Sequence, residues 1–161
     1  MKVVNTFTVP ASVDRVGAAL ISESFNMEVE NDRPEVLSTR FVVEEESAER
    51  KVFEVRSVEY KRKKTGGLDR SGTVNSVNRN VWDAGAHTLS WSYRGVGDRW
   101  VQIGGTYHLT PDGGGTRVNH EVDVEVNIPL VGKTVAKYIA GELGKATDRF
   151  QVMIVRHLPP E

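Results

Sequence analysis

The chain contains no cysteine. Disulfides, thiolate nucleophiles and cysteine-based zinc sites are therefore excluded. It has no apolar run of membrane-spanning length, and Met1-Lys2-Val3-Val4-Asn5 offers no apolar signal core. A cytoplasmic location without stable membrane insertion is the expectation that follows. It also lacks a charge excess, with 21 basic and 22 acidic side chains and a net charge of -1. A nucleic-acid binder would ordinarily be basic, so no such partner is expected. The four histidines His87, His108, His120 and His157 stand at no helical metal-ligand spacing, and no HExxH pattern occurs. No Ser-His-Asp set is legible. No metal, no cofactor and no catalytic residue is assigned. No repeat, low-complexity tract or linker divides the chain, and 161 residues suit a single domain, 1–161, with a real core.

What is present is concentrated in the last third. From Thr116 to Asn127, Val118, His120, Val122, Val124 and Val126 alternate with Asn119, Glu121, Asp123 and Glu125. Period two predicts a strand with one dry and one wet face. Ile128-Pro129 follows, and then an amphipathic stretch from Leu130 to about Leu158. There Val131, Val135, Ile139, Leu143, Ala146, Phe150, Met153 and Ile154 recur at steps of three and four. That spacing predicts one long helix. A single helix seldom fills a wide curved sheet, and the space left between them can be a cavity.

Upstream, Val3 to Val9 alternates and ends at Pro10, which predicts a first strand. Ser12 is a good N-cap for a short helix stopping near Ile21, and Ser22 to Met27 suggests a second, broken by Asn31-Asp32-Arg33-Pro34. Six strands are then predicted: Val36–Glu46, Lys51–Lys61, Gly72–Trp82, Thr88–Arg94, Trp100–Thr110 and Thr116–Asn127. Their short, turn-rich connections imply antiparallel hairpins. The class is therefore α+β, in the order β-α-α-β6-α, with a curved antiparallel sheet wrapped around a long C-terminal helix. If Leu89, Trp91 and Tyr93 face inward, the hairpins set Val101, Ile103, Tyr107 and Leu109 beside them, and Tyr107 opposite His120.

This order of elements, with Gly-Gly-Thr-Tyr-His-Leu-Thr-Pro-Asp-Gly-Gly-Gly-Thr-Arg-Val from Gly104 to Val118, resembles the START-like or SRPBCC superfamily. That is the helix-grip fold of birch-pollen-type allergens, polyketide cyclases and lipid-transfer domains. The opening Phe7-Thr8-Val9-Pro10-Ala11-Ser12-Val13-Asp14-Arg15-Val16 is similar to that superfamily's first strand and helix start. Within it the chain looks most like an uncharacterised bacterial group. The resemblance spans the whole chain and implies a hydrophobic ligand site between the concave sheet face and the last helix. It carries no catalytic motif. The expected lining is Leu89, Trp91, Tyr93, Ile103, Tyr107, His120, Val122, Ile139, Leu143 and Phe150.

Three functions fit these residues. The first is a carrier or sensor for a small hydrophobic ligand such as a lipid, isoprenoid or polyketide. The second is a cyclase or dehydratase using His120 with Tyr93 or Tyr107 as its acid–base groups. The third is a protein-interaction module. His120 also has a plain structural reading, as a core histidine bonded to Tyr107 or to a backbone carbonyl. Trp91, Tyr93 and Tyr107 can stack on a ligand or simply fill the core. Lys61-Arg62-Lys63-Lys64, at a hairpin tip before Thr65-Gly66-Gly67, is either a weak anionic-surface contact or a solvated loop. Gly113-Gly114-Gly115 joins two antiparallel strands, so it reads as a turn and not a phosphate loop. Gly132, Gly141 and Gly144 give the last helix freedom to curve, to approach the sheet or to leave room beside a ligand. Gly132 also suits a loose first turn. Glu121, Asp123 and Glu125 fall on the wet face as solubility and edge-protection charges.

Overall fold

A computed structural model of the chain describes residues 1–63 and 67–161. The elements are β1 (Lys2–Val9), α1 (Val13–Leu20), α2 (Glu23–Asn31), β2 (Val36–Glu46), β3 (Arg50–Arg62), β4 (Leu68–Asp83), β5 (Thr88–Gly95), β6 (Val101–Asp112), β7 (Gly115–Val126), α3 (Gly132–Lys145) and α4 (Thr147–Arg156). The seven strands make one antiparallel sheet in the order β1-β7-β6-β5-β4-β3-β2. The helices lie on its concave side, and the architecture is the α+β helix-grip fold expected from the strand pattern.

The caps show why the helices start where they do. Ser12 Oγ accepts from the Arg15 N–H at 3.3 Å, and Ser22 Oγ accepts from the Phe25 N–H at 3.2 Å. Each serine satisfies one of the donors a helix N-terminus leaves open. The valines and Leu20 of α1, with Phe25 of α2, enter a core shared with Val9, Phe53, Val118, Met153 and Ile154. The segment after α4 is tied down as well: Arg15 donates to the Pro159 carbonyl oxygen from Nε and Nη2, at 3.0 and 2.8 Å.

The C-terminal stretch departs from one continuous helix. It divides at Ala146, whose N–H reaches back to the Leu143 carbonyl oxygen at 3.2 Å in a tightened three-residue turn. Thr147 supports the turn by donating its hydroxyl to the Gly144 carbonyl oxygen at 3.2 Å. Gly141 and Gly144 have open space where a Cβ would stand, whereas a Cβ on Gly132 would meet the Val126 carbonyl oxygen at 2.5 Å. Close approach to the sheet is thus the role of Gly132 alone. The Gly113-Gly114 pair takes positive φ values of 57° and 88°, the geometry of a hairpin turn. Of the basic run, Lys61 and Arg62 end β3 and Lys63 follows, while Lys64, Thr65 and Gly66 lie outside the described residues. Among the described residues, no helix is long and apolar enough to cross a membrane.

Candidate ligand site

Strand register arranges the concave face as a grid. One row runs Trp82, Leu89, Tyr107, His120 and Asn5 across β4, β5, β6, β7 and β1. The next runs Phe53, Asn80, Trp91, Gly105, Val122 and Val3. A third holds Val55, Asn78, Tyr93, Ile103 and Val124. The predicted pairing of Tyr107 with His120 is the register found.

Gly105 decides the local packing. A Cβ there would stand 2.5 Å from the Glu121 carbonyl oxygen and 3.0 Å from the Trp91 ring. With only hydrogen in that place, the Trp91 indole crosses β6 and reaches β7. Its Nε1–H donates to His120 Nε2 at 3.0 Å. The imidazole stacks on Tyr107, with centroids 3.8 Å apart and planes 4° apart, and meets the edge of Phe150 at 6.3 Å. His120 is therefore bonded to Trp91, while Tyr107 supplies a ring face and not the expected hydrogen bond. Burial pushes the His120 pKa down to about 4, because the charged imidazolium would lose its water. An indole N–H can only donate, so the neutral ring must accept at Nε2 and carry its proton on Nδ1. Burial also holds the Tyr107 phenol above its ordinary range.

The ten expected lining residues divide into four groups. Trp91, Tyr107, His120 and Phe150 meet as described. Ile103, Val122, Ile139 and Leu143 form a second cluster with Val124 and Ala136, and Trp91 touches both. Leu89 is sealed in the main core. Tyr93 goes elsewhere: its hydroxyl donates to Glu59 Oε1 at 2.6 Å.

Glu59 belongs to a polar cluster that the sequence reading passed over. Arg33, just after α2, sits 2.8 Å from Glu30, 3.0 Å from Glu35 and 3.3 Å from Glu59. Ser57 donates to Glu30 at 3.1 Å, Ser76 donates to Glu59 at 2.7 Å, and Arg62 lies 3.3 Å from Glu35. All three carboxylates are buried. Burial raises the Glu30 pKa against the pull of Arg33 and Ser57. Burial also works against charge on Glu35, yet Arg33 and Arg62 outweigh it and the net direction is down. The Arg33 guanidinium stacks over the Tyr93 ring at 5.2 Å. Strand parity could have found Glu59, since Phe53, Val55 and Ser57 precede it on the same face. Arg33 itself gave only the signal of a chain break before Pro34.

The surface of the described residues includes two clefts. One, of about 280 Å³, lies against the outer side of β1, β6 and β7 and is bordered by Lys2, Thr106, Glu121 and Asp123, with Val122 beside it. The other, of about 390 Å³, lies between the start of α1 and the β6–β7 hairpin, near Asp14 and His87. Of the ten expected residues only Val122 borders either cleft. Among the described residues, no cluster of histidine and carboxylate side chains is arranged to hold a metal ion.

A protein-family model described as a protein of unknown function (DUF2505) matches residues 5–158. The chain belongs to that family. No curated protein matches it. Solved structures do. TTHA0849 from Thermus thermophilus superposes with a TM-score of 0.65 at 18% identity, covering 98% of this chain and 96% of that one. A START superfamily protein from Mycobacterium smegmatis gives 0.59 at 15%, covering 96% and 97%. Norcoclaurine synthase from Thalictrum flavum, solved in complex with dopamine and hydroxybenzaldehyde, gives 0.59 at 14%, covering 99% and 89%. At such identities the likeness shows the START-like fold and nothing about chemistry.

Proposed function

We propose that the protein binds a small, largely apolar ligand between the concave face of the sheet and α3–α4, as a carrier or sensor. One observation carries this reading. Trp91, Tyr93, Ile103, Ile139, Leu143 and Phe150 lie on the inner face or on the helices that cover it, yet all remain partly open. An ordinary core seals isoleucine, leucine and phenylalanine, so the openness of Ile103, Ile139, Leu143 and Phe150 carries the point. The two clefts described lie elsewhere, so the support comes from this half-open lining. Fold likeness to a START superfamily protein and to a synthase crystallised with two small aromatic molecules is consistent with a ligand on that face. The same geometry argues against the cyclase alternative. His120 Nε2 is occupied by Trp91, its other nitrogen carries a proton, and Tyr93 is held by Glu59. That leaves no free base in this group.

Native mass spectrometry of protein purified from its own source tests the proposal, because a retained ligand is weighed directly. In titrations with an apolar series, each added methylene should contribute about 0.8 kcal/mol, so affinity should climb with ligand size. No retained mass and no binding by any member of the series would refute it.

A further inference from the structure

His120 and Tyr107 present an unusual pair of atoms. Both residues are buried, 3% and 8% exposed. His120 Nδ1 and the Tyr107 hydroxyl have no hydrogen-bond partner among the described residues. Yet no side-chain nitrogen or oxygen among those residues is both sealed and unpartnered. The two atoms must therefore border accessible space. A donor that opens onto accessible space can be met by water or by an acceptor on a bound molecule.

The neighbours fix what could meet it. The Trp91 bond at Nε2 leaves Nδ1 as a donor. Trp91 and Phe150 stand around the imidazole at 5.8 and 6.3 Å between centroids, while Tyr107 covers one of its faces. An acceptor arriving there comes on an apolar skeleton. It must also be uncharged. Among the described residues, Arg33 is committed to three carboxylates and Lys51 to the Ile21 carbonyl oxygen at 2.9 Å. A carboxylate beside a neutral imidazole would be buried without a counter-charge.

We infer that His120, through Nδ1–H, is the recognition donor for a neutral carbonyl oxygen on an apolar ring or chain, so that the site selects ketones, aldehydes or quinones over fatty-acid anions. Gly105 and Trp91 act as positioning residues by holding the tautomer. The inference rests on the ligand reading proposed above and goes beyond it by naming the ligand's polar group.

Three probes of one skeleton test it by calorimetric titration of the full chain: 2-acetonaphthone, 2-ethylnaphthalene and 2-naphthoate. The ketone should bind about threefold to tenfold tighter than the hydrocarbon, the range of one net hydrogen bond, and the anion should bind worse than the ketone. His120→Phe should erase the ketone's advantage over the hydrocarbon, both ligands being measured on the variant itself. Tyr107→Phe keeps the ring and reports whether the phenol shares the contact: an advantage reduced but not lost supports His120 as the principal donor. In nitrogen-15 spectra of the wild type, a protonated Nδ1 that shifts with the ketone and not with the hydrocarbon would support the assignment even if His120→Phe folds poorly. Equal binding of ketone and hydrocarbon would overturn the donor role and leave the apolar site standing. A ketone preference that survives His120→Phe, or a preference for the naphthoate, would overturn it too. Failure of all three probes to bind would remove the ligand reading itself.

Discussion

The buried imidazole should make the protein's stability depend on pH in a way that one substitution isolates. His120 titrates at about 4 when folded against an ordinary 6.5. The unfolded chain therefore takes up the proton first. Stability is fully present above pH 6.5, falls progressively between pH 6.5 and about 4, and the loss is complete below that. At about 1.4 kcal/mol per tenfold difference in proton affinity, the complete loss is about 3 kcal/mol. Roughly 2 kcal/mol of that should already be gone at about pH 5, because the unfolded histidine is almost fully protonated there and the folded one is not. Against a typical domain stability of about 5–15 kcal/mol this is a large effect. Urea unfolding of wild type and His120→Phe at a series of pH values from about 7.5 to 4 measures it. Other groups titrate in both proteins, including Glu30, whose raised pKa acts in the opposite sense, and they cancel in the difference. The wild type should lose about 2 kcal/mol more than the variant between about pH 7.5 and pH 5. Parallel profiles would mean that His120 is hydrated or charged when folded, and the neutral-donor reasoning would fall with that result.

Gly105→Ala should cost about 1–3 kcal/mol through overpacking, since its Cβ would meet the Glu121 carbonyl and the Trp91 ring. Near-ultraviolet circular dichroism should change as the indole moves, and an unaltered spectrum and melting temperature would contradict the packing described. Truncation of a sealed phenylalanine costs about 3–5 kcal/mol, so Phe53→Ala should fall in that range. Phe150→Ala, at a half-open position, should fall below it; thermal melts giving the reverse order would show that Phe150 is core and not lining. Arg33→Met leaves Glu30, Glu35 and Glu59 without their shared cation and should destabilise by about 3–5 kcal/mol at neutral pH. Part of that should return as the pH falls and the carboxylates protonate, and a variant as stable as wild type at neutral pH would refute the network's role.

The strands were legible because alternation is a local signal. Val118 to Val126 announces its dry face in the sequence, and hairpin lengths carry that phase to Tyr107 and Leu89. Contacts across two strands were not legible. Trp91 reaches His120 only because Gly105 leaves the intervening strand bare, and period two says nothing of how far an indole leans. The division at Ala146 was hidden for a similar reason. The apolar steps from Val131 to Ile154 continue through it in helical phase, while a tightened turn depends on backbone bonds at Gly144 and Leu143. The acid cluster was missed because glutamate is ordinarily read as solvent-facing. Glu30 and Glu35 are separated by a break in the chain, and their common cation becomes visible only when α2 is set against β3.

The sheet order has a consequence for how the chain is made. Lys2 to Val9 leave the ribosome long before their partners, Thr116 to Asp123. A loop of roughly a hundred residues must close before that edge of the sheet exists, and the entropy of closure precedes any reward. The meander from β2 to β6 consists of neighbours and can assemble as it emerges. β1 cannot, and α1 depends further on Pro159, which is translated later still. Through most of synthesis the N-terminal strand, with Phe7 and Val9 on its inner face, is an unpaired apolar edge of the kind that chaperones hold and aggregates recruit. Removal of the segment from Leu158 onward should therefore harm yield in the cell out of proportion to the apolar surface lost.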